Sequence, residues 1–172
     1  LPREPDLPQV TRPELPLQGG CACGAVRYQI KAPPLTFYLC HCTECQRQTS
    51  SAFGQSLRVR AKDFSVAGSV RCIERLADSG ARRQGWFCPL CGVRLWHATQ
   101  GSDEINIKAG TLDHTQWLIP AGHIWVRSRQ RFVALPDDGL VYEEQPEPGY
   151  ERLKARWRAM TTSQSERFDH QD

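Results

Sequence analysis

Seven of the eight cysteines in this chain fall into three tight clips: Cys21-x-Cys23, Cys40-x-Cys42-x-x-Cys45 and Cys88-x-x-Cys91. No other feature restricts the fold as strongly. Sulfurs delivered two or three at a time from one turn can share an ion. Clips that share an ion must meet in space, however far apart they lie in sequence. An even count of eight also permits four disulfides. C-x-C and C-x-x-C pairs, however, are poor disulfide frameworks and good metal clips, and a reducing compartment keeps them as thiols. Cys72 stands alone on a strand-like segment, where a small buried hydrophobe is expected.

Ligand counting separates two kinds of site. Four thiolates close a tetrahedron around zinc, whereas three leave a position for water or substrate. Cys21, Cys23, Cys88 and Cys91 make a natural set of four, which would pin the first strand to the central knuckle. Spacing alone also permits Cys40 and Cys42 to join Cys88 and Cys91. The first arrangement leaves Cys40, Cys42 and Cys45 as a trio. A fourth ligand from His41, His97, His123 or Cys72 would close that site; a vacant position would open it to chemistry. His41 lies between two ligands, and its ring is expected to point away from the ion.

Size and charge narrow the function classes. The chain has 172 residues, enough for one domain with a real core. The formal net charge of +3 counts every cysteine as neutral. Seven thiolates on two Zn²⁺ ions would cancel it, and no basic face or aromatic-interleaved Lys/Arg run appears. A nucleic-acid partner is therefore not expected. No apolar run approaches the roughly 20 residues of a membrane span, and residues 1–20 hold no apolar signal core. The expectation is a soluble, cytoplasmic protein with no membrane partner.

Along the chain, residues 1–18 form a Pro-rich leader, read as an extended arm on the surface. Residues 25–30 alternate Val26, Tyr28 and Ile30 with Arg27 and Gln29, as a half-buried strand does. Residues 35–39 form a short apolar strand delivering the chain to Cys40. Residues 46–51 read as one helical turn or a loop, and 53–64 as a strand. A hairpin turning at Gly68 is expected over 65–76, followed by a loop over 77–85. The clip 88–91 reads as a zinc knuckle at the tip of two strands, with Gly92 taking the backbone out of it. Further short strands are expected at 104–109, 123–127 and 131–135. In the tail, 143–172, Tyr150, Leu153, Trp157 and Met160 share one face of an amphipathic helix over about 149–161, expected to dock on its own domain. Residues 162–172 are expected to be disordered. The sum is a mainly β fold stapled by metal, with a zinc domain over 19–142 and a short C-terminal helix.

Several blocks together resemble one family. They are Gly20-Cys21-x-Cys23-Gly24-x-Val26-Arg27-Tyr28, Cys40-His41-Cys42-x-x-Cys45-x-Arg47 and Phe87-Cys88-x-x-Cys91-Gly92-x-x-Leu95. Lys108-Ala109-Gly110-Thr111-Leu112-Asp113, His123-Ile124-Trp125-Val126-Arg127-Ser128 and Leu135-Pro136-Asp137-Asp138 continue the pattern. Over residues 19 to about 140 the chain resembles the glutathione-dependent formaldehyde-activating family, which includes the centromere-protein-V-like proteins. The resemblance implies an Mss4-like sheet fold and two Zn²⁺ per chain. It implies a structural zinc on Cys21, Cys23, Cys88 and Cys91, and a catalytic one on Cys40, Cys42 and Cys45. It further implies a carbon–sulfur lyase that joins formaldehyde to a glutathione-like thiol as S-hydroxymethylglutathione.

One departure is visible. Where the family often has Gly after Thr, this chain has Thr49-Ser50-Ser51. Ser lacks the easy access of Gly to positive φ, so a differently shaped loop is expected there.

Glutathione's carboxylates call for cations. Arg47, nearest the trio in sequence, is the first candidate to bind it, ahead of Arg82, Arg83 and Arg127. Glu44 and His41 are candidates for proton transfer. Trp86, Trp96 and Trp125 are expected to pack the core. The alternative function is a catalytically silent, zinc-stabilised binding or scaffold module.

Overall fold

A computed structural model describes residues 7–77, 80–137 and 139–163. The strands in chain order are β1 (Val10–Arg12), β2 (Leu17–Gly20), β3 (Arg27–Ile30), β4 (Thr36–Cys40), β5 (Gly54–Arg60), β6 (Phe64–Ala67), β7 (Arg71–Leu76), β8 (Arg82–Phe87), β9 (Arg94–Thr99), β10 (Glu104–Ile107), β11 (Gly122–Ile124), β12 (Leu140–Val141) and β13 (Thr161–Ser163). Two helices, α1 (Thr43–Thr49) and α2 (Glu151–Met160), and four short 3₁₀ turns are the other elements among the described residues. The fold is mainly β with a short C-terminal helix, as the strand-length alternations require. The expected zinc domain over 19–142 spans parts of two compact units, each built from separate stretches of sequence.

One unit comprises the described residues up to Glu14, Thr36–Ser56 and those from Trp117 onward. Its sheet runs β12-β11-β4, all parallel, with Ile124 opposite Cys40 and His123 opposite Leu39. Gly122 is required in this sheet. A Cβ there would meet the Leu140 carbonyl oxygen at 2.5 Å and Leu153 Cδ2 at 2.7 Å. Helix α2 buries Leu153, Trp157 and Met160, the face expected from their spacing. The Trp157 ring packs edge-on against Phe37 at 6.1 Å and tilted against Trp117 at 6.0 Å, so the helix docks on its own unit. Burial of Trp157 alone is worth about 2–3 kcal/mol.

The leader departs from a surface arm. Val10 is 1% exposed and Arg12 7%, and β1 pairs in parallel with β13. Pro8 and Pro13 leave four residues between them with N–H groups intact, enough for a short ladder. Residues 1–6 and 164–172, the ends of the expected leader and disordered tail, lie outside the described residues.

The other unit comprises Leu15–Leu35 and Leu57–Gln116. It holds the antiparallel sheet β2-β3-β6 and the antiparallel order β10-β9-β8-β7, with the Leu57–Arg60 half of β5 paired to β10. Tyr28, Phe64, Trp96 and Trp86 form a continuous aromatic chain, ring to ring at 5.5, 4.9 and 5.2 Å. Leu57, Val59, Leu95, Ile105 and Ile107 are buried in this unit.

Four local expectations change. The 65–76 hairpin does not form: β6 pairs with β3 and β7 with β8. Gly68 does turn, at φ 94°, but a Cβ there would sit 2.2 Å from the Ala25 carbonyl oxygen. The turn thus closes against the start of β3, and alternation alone cannot name a strand's partner. The expected loop over 77–85 is shorter, because β8 begins at Arg82. The strand expected at 123–127 stops at Ile124, where Trp125 takes φ 59° and a 3₁₀ turn follows; 131–135 contains no strand.

Candidate metal centres

Each cysteine clip sits where a backbone turn frees N–H groups to face sulfur. Cys21 follows β2, and its Sγ accepts a hydrogen bond from the Val26 N–H at 3.2 Å. Cys88 and Cys91 lie between β8 and β9, in the knuckle expected from sequence. The Gly92 N–H donates to the Cys88 carbonyl, and Gly92 holds φ 74° with open space around it, so backbone freedom alone calls for glycine. Backbone N–H groups of Val93 and Cys23 draw the Cys91 thiol below its ordinary pKa. Cys21 and Cys23 sulfurs are 3.5 Å apart, and Cys23 and Cys88 sulfurs 3.7 Å. All four sulfurs of Cys21, Cys23, Cys88 and Cys91 lie within 4.8 Å of one another. This removes the alternative in which Cys40 and Cys42 share the knuckle.

The trio belongs to the other unit. Cys40 ends β4, Cys42 is the N-cap of α1, and Cys45 lies in its first turn. The Cys45 N–H donates to Cys42 Sγ at 3.3 Å. Gly54 makes room for the third sulfur, since a Cβ there would stand 3.1 Å from Cys45 Sγ. Gln46 ties the loop down by donating to the carbonyls of His41 and Ser128 at 2.8 and 2.9 Å. The three sulfurs also lie within 4.8 Å of one another. Thiol hydrogen bonds from Cys40 and Cys45 pull Cys42 down, while the same closeness pushes Cys40 far up. Sulfurs this close cannot all ionise side by side; a cation among them reverses that, because a coordinating thiol is deprotonated outright. Both donor sets could hold a metal ion, and all-sulfur donors suit zinc.

Among the described residues, no fourth Cys, His, Asp or Glu joins the trio. His41 is fully buried, and its Nε2 lies 2.9 Å from His123 Nδ1, with the Phe53 ring edge-on at 5.5 Å. Burial pushes the His41 pKa down to about 4, with His123 and Arg129 adding repulsion, so the ring is neutral. Two of the candidate fourth ligands are thereby engaged with each other. Cys72 is exposed, against the expectation of a buried hydrophobe: β7 is the outer strand of its sheet and is open along nearly its whole length. His97 belongs to β9 of the other unit.

The candidate cations separate as well. Arg82 lies 3.8 Å from Glu74, Arg83 bonds Thr99, and Arg127 pairs with Glu144 over the Trp125 ring. Arg47 makes no ion pair or side-chain hydrogen bond with a described residue. It lies two positions from Cys45, about 200° around α1, so it faces away from that sulfur. It lines instead a groove of about 860 Å³ with Thr43, Gln46 and Ser50, which share its helix face. Sequence spacing singled out Arg47 but gave no sign of the groove, which needs the 130–133 segment brought against α1.

Trp96 is buried as expected, Trp86 is half-buried on it, and Trp125 is half-buried with its Nε1–H donating to Gln145. Glu44 accepts a hydrogen bond from Gln48.

Residues 16–128 match the family model described as glutathione-dependent formaldehyde-activating enzyme, more than half of the chain. The chain belongs to this glutathione-dependent formaldehyde-activating family. All seven clip cysteines, His41 and His123 fall inside the family match, whereas α2 and Phe132 fall beyond it. A Halomonas elongata protein named as a candidate glutathione-dependent formaldehyde-activating enzyme is 33% identical over 89 residues, covering 46% of this chain and 54% of that protein. The chain thus spans about half the length of this curated relative. A crystal structure of a Rhodobacter sphaeroides protein is similar at a TM-score of 0.46 and 21% identity, covering 56% of this chain and 88% of that one. No helix among the described residues is long and apolar enough to cross a membrane.

Proposed function

We propose that this chain is a zinc-dependent enzyme of the carbon–sulfur lyase type, joining a small aldehyde such as formaldehyde to a glutathione-like thiol. Cys21, Cys23, Cys88 and Cys91 hold a structural zinc, and Cys40, Cys42 and Cys45 hold the catalytic one. The observation that carries this reading is the trio without a fourth described donor. A zinc held by these three sulfurs would supply Lewis-acid chemistry that favours the thiolate form of an incoming thiol.

The chain's own residues prepare that site. Gln46 and the Cys45 N–H fix the loop geometry, and Gly54 sets the place of Cys45 Sγ. His41 turns to His123, which supports a role in holding the loop rather than in ligation. Arg47 receives a carboxylate at the remote end of the substrate. In the reaction the sulfur forms a bond to the aldehyde carbon, the C=O π bond opens, and the thiol proton ends on the new hydroxyl. The clip spacing of seven cysteines, poor for disulfides and good for metal, supports a reducing, cytoplasmic setting. Metal-loaded protein mixed with thiol and formaldehyde should form the adduct faster than the uncatalysed reaction, and Cys42→Ser should remove the excess. No acceleration would leave the silent zinc-stabilised binding module.

A further inference from the structure

The groove beside α1 is chemically lopsided. Arg47 is the one charged side chain among the described residues lining it, and no acid lines it. Its apolar lining is Ala52, Phe53, Val133 and Phe132, the last 79% exposed, with Gln130 beside them. Arg47 and Phe132 both stand exposed on it, so one ligand can pair its anion with the first and cover the second with an apolar body. The groove adjoins the trio at two places. Thr43 follows Cys42 directly. Phe53 precedes Gly54, against which Cys45 Sγ packs, and its ring meets His41. At the lip, Ser50 holds φ 50° and ψ 35°, a left-handed conformation that a non-glycine residue adopts at a cost. Phe132 and Val133 lie beyond the residues that match the family model.

We infer that the groove selects a monoanionic substrate, one carboxylate joined to an apolar body, over glutathione itself. Glutathione carries two carboxylates and an ammonium. Among its described lining residues the groove offers one cation and no acid to receive the ammonium, and its aromatic side chains are covered poorly by two peptide bonds. An aliphatic or aryl carboxylate places its anion on Arg47 and its body on Phe132 and Val133. The inference rests on the proposed function only in taking Arg47 as the substrate's carboxylate receptor.

The test uses ligands without a free thiol, so that binding does not depend on the trio. Calorimetry on the full metal-loaded chain compares 4-phenylbutyrate, 4-phenylbutylamine and S-methylglutathione. The carboxylate should bind about tenfold more tightly than either of the others: the amine loses the charge-assisted bond to Arg47, and S-methylglutathione keeps a carboxylate for Arg47 but loses the apolar contact with Phe132 and Val133. Arg47→Gln and Phe132→Ala should each weaken it by about fivefold or more while leaving the zinc content unchanged. Equal binding of the carboxylate and the amine, tighter binding of S-methylglutathione, or indifference to Arg47→Gln would overturn the inference. Failure to form adduct with any thiol while 4-phenylbutyrate still binds through Arg47 would instead count against the enzyme reading alone.

Discussion

His41 Nε2 lies 2.9 Å from His123 Nδ1, so the middle residue of the Cys-His-Cys loop is bonded to a neighbouring parallel strand. Both rings are buried, and burial holds both below the ordinary imidazole pKa. One neutral ring must donate and the other accept. His123→Ala strands the His41 nitrogen in a dry site, which costs about 1–3 kcal/mol. Urea unfolding of the variant should show that loss, and zinc per chain should fall if the pair also steadies the loop. An unchanged midpoint would show that the bond contributes nothing.

Gly54 tests the packing of the third sulfur. Its absent Cβ would stand 3.1 Å from both Cys45 Cβ and Sγ, closer than a comfortable contact. Gly54→Ala should displace Cys45 by a few tenths of an ångström and lower metal affinity at the trio. Competition with a chelator should remove about one zinc from the variant more readily than from the parent, with the other retained.

Ser50 carries a backbone cost in the loop next to the trio. Ser50 adopts the left-handed conformation at φ 50°, a region that serine enters less easily than glycine. Relief of about 1–2 kcal/mol on Ser50→Gly is partly offset by the greater freedom of glycine in the unfolded chain. The net gain should be under about 1 kcal/mol in a urea titration. A loss of stability would mean that the hydroxyl contributes more than the conformation costs.

Asp113 gives a pH-dependent prediction. Arg27 Nη1 donates to Asp113 Oδ1 at 2.9 Å, with a second, shorter bond between Nη2 and Oδ2, and these hold the carboxyl below its ordinary pKa. A depressed folded pKa means that the stabilisation is present above the unfolded value of 3.8 and is lost as pH falls through the lower folded one. Both side chains are more than a third exposed, so the contribution is at most about 1 kcal/mol. Asp113→Asn should be slightly less stable than the parent at pH 7, and the two should converge in acid.

Much of this was written in the sequence, and what was missed has a common cause. The Cys88–Cys91 knuckle, the strand through Val26, Tyr28 and Ile30, and the Leu153–Trp157–Met160 face all depend on local spacing, which a sequence carries directly. The partner of β6, the parallel seat of β1 on β13, and the 130–133 wall of the groove depend on segments distant in sequence. Alternation says which face of a strand is buried and nothing about its neighbour. Cys72 misled for the same reason: its strand pattern is real, but β7 is the last strand of its sheet and has no cover. Arg47 was found by its distance along the chain from Cys45, yet helical geometry turns it to the other side of α1.

The central claim is that a four-sulfur set and a three-sulfur set each hold an ion but do different jobs. Zinc per chain, measured on native protein and on Cys42→Ser and Cys88→Ser with a thermal melt of each, tests it most directly. The account predicts two zinc ions in the native chain, one in Cys42→Ser with the melt largely preserved, and unfolding in Cys88→Ser. A single zinc in the native protein, or two variants that lose metal and stability alike, would contradict it.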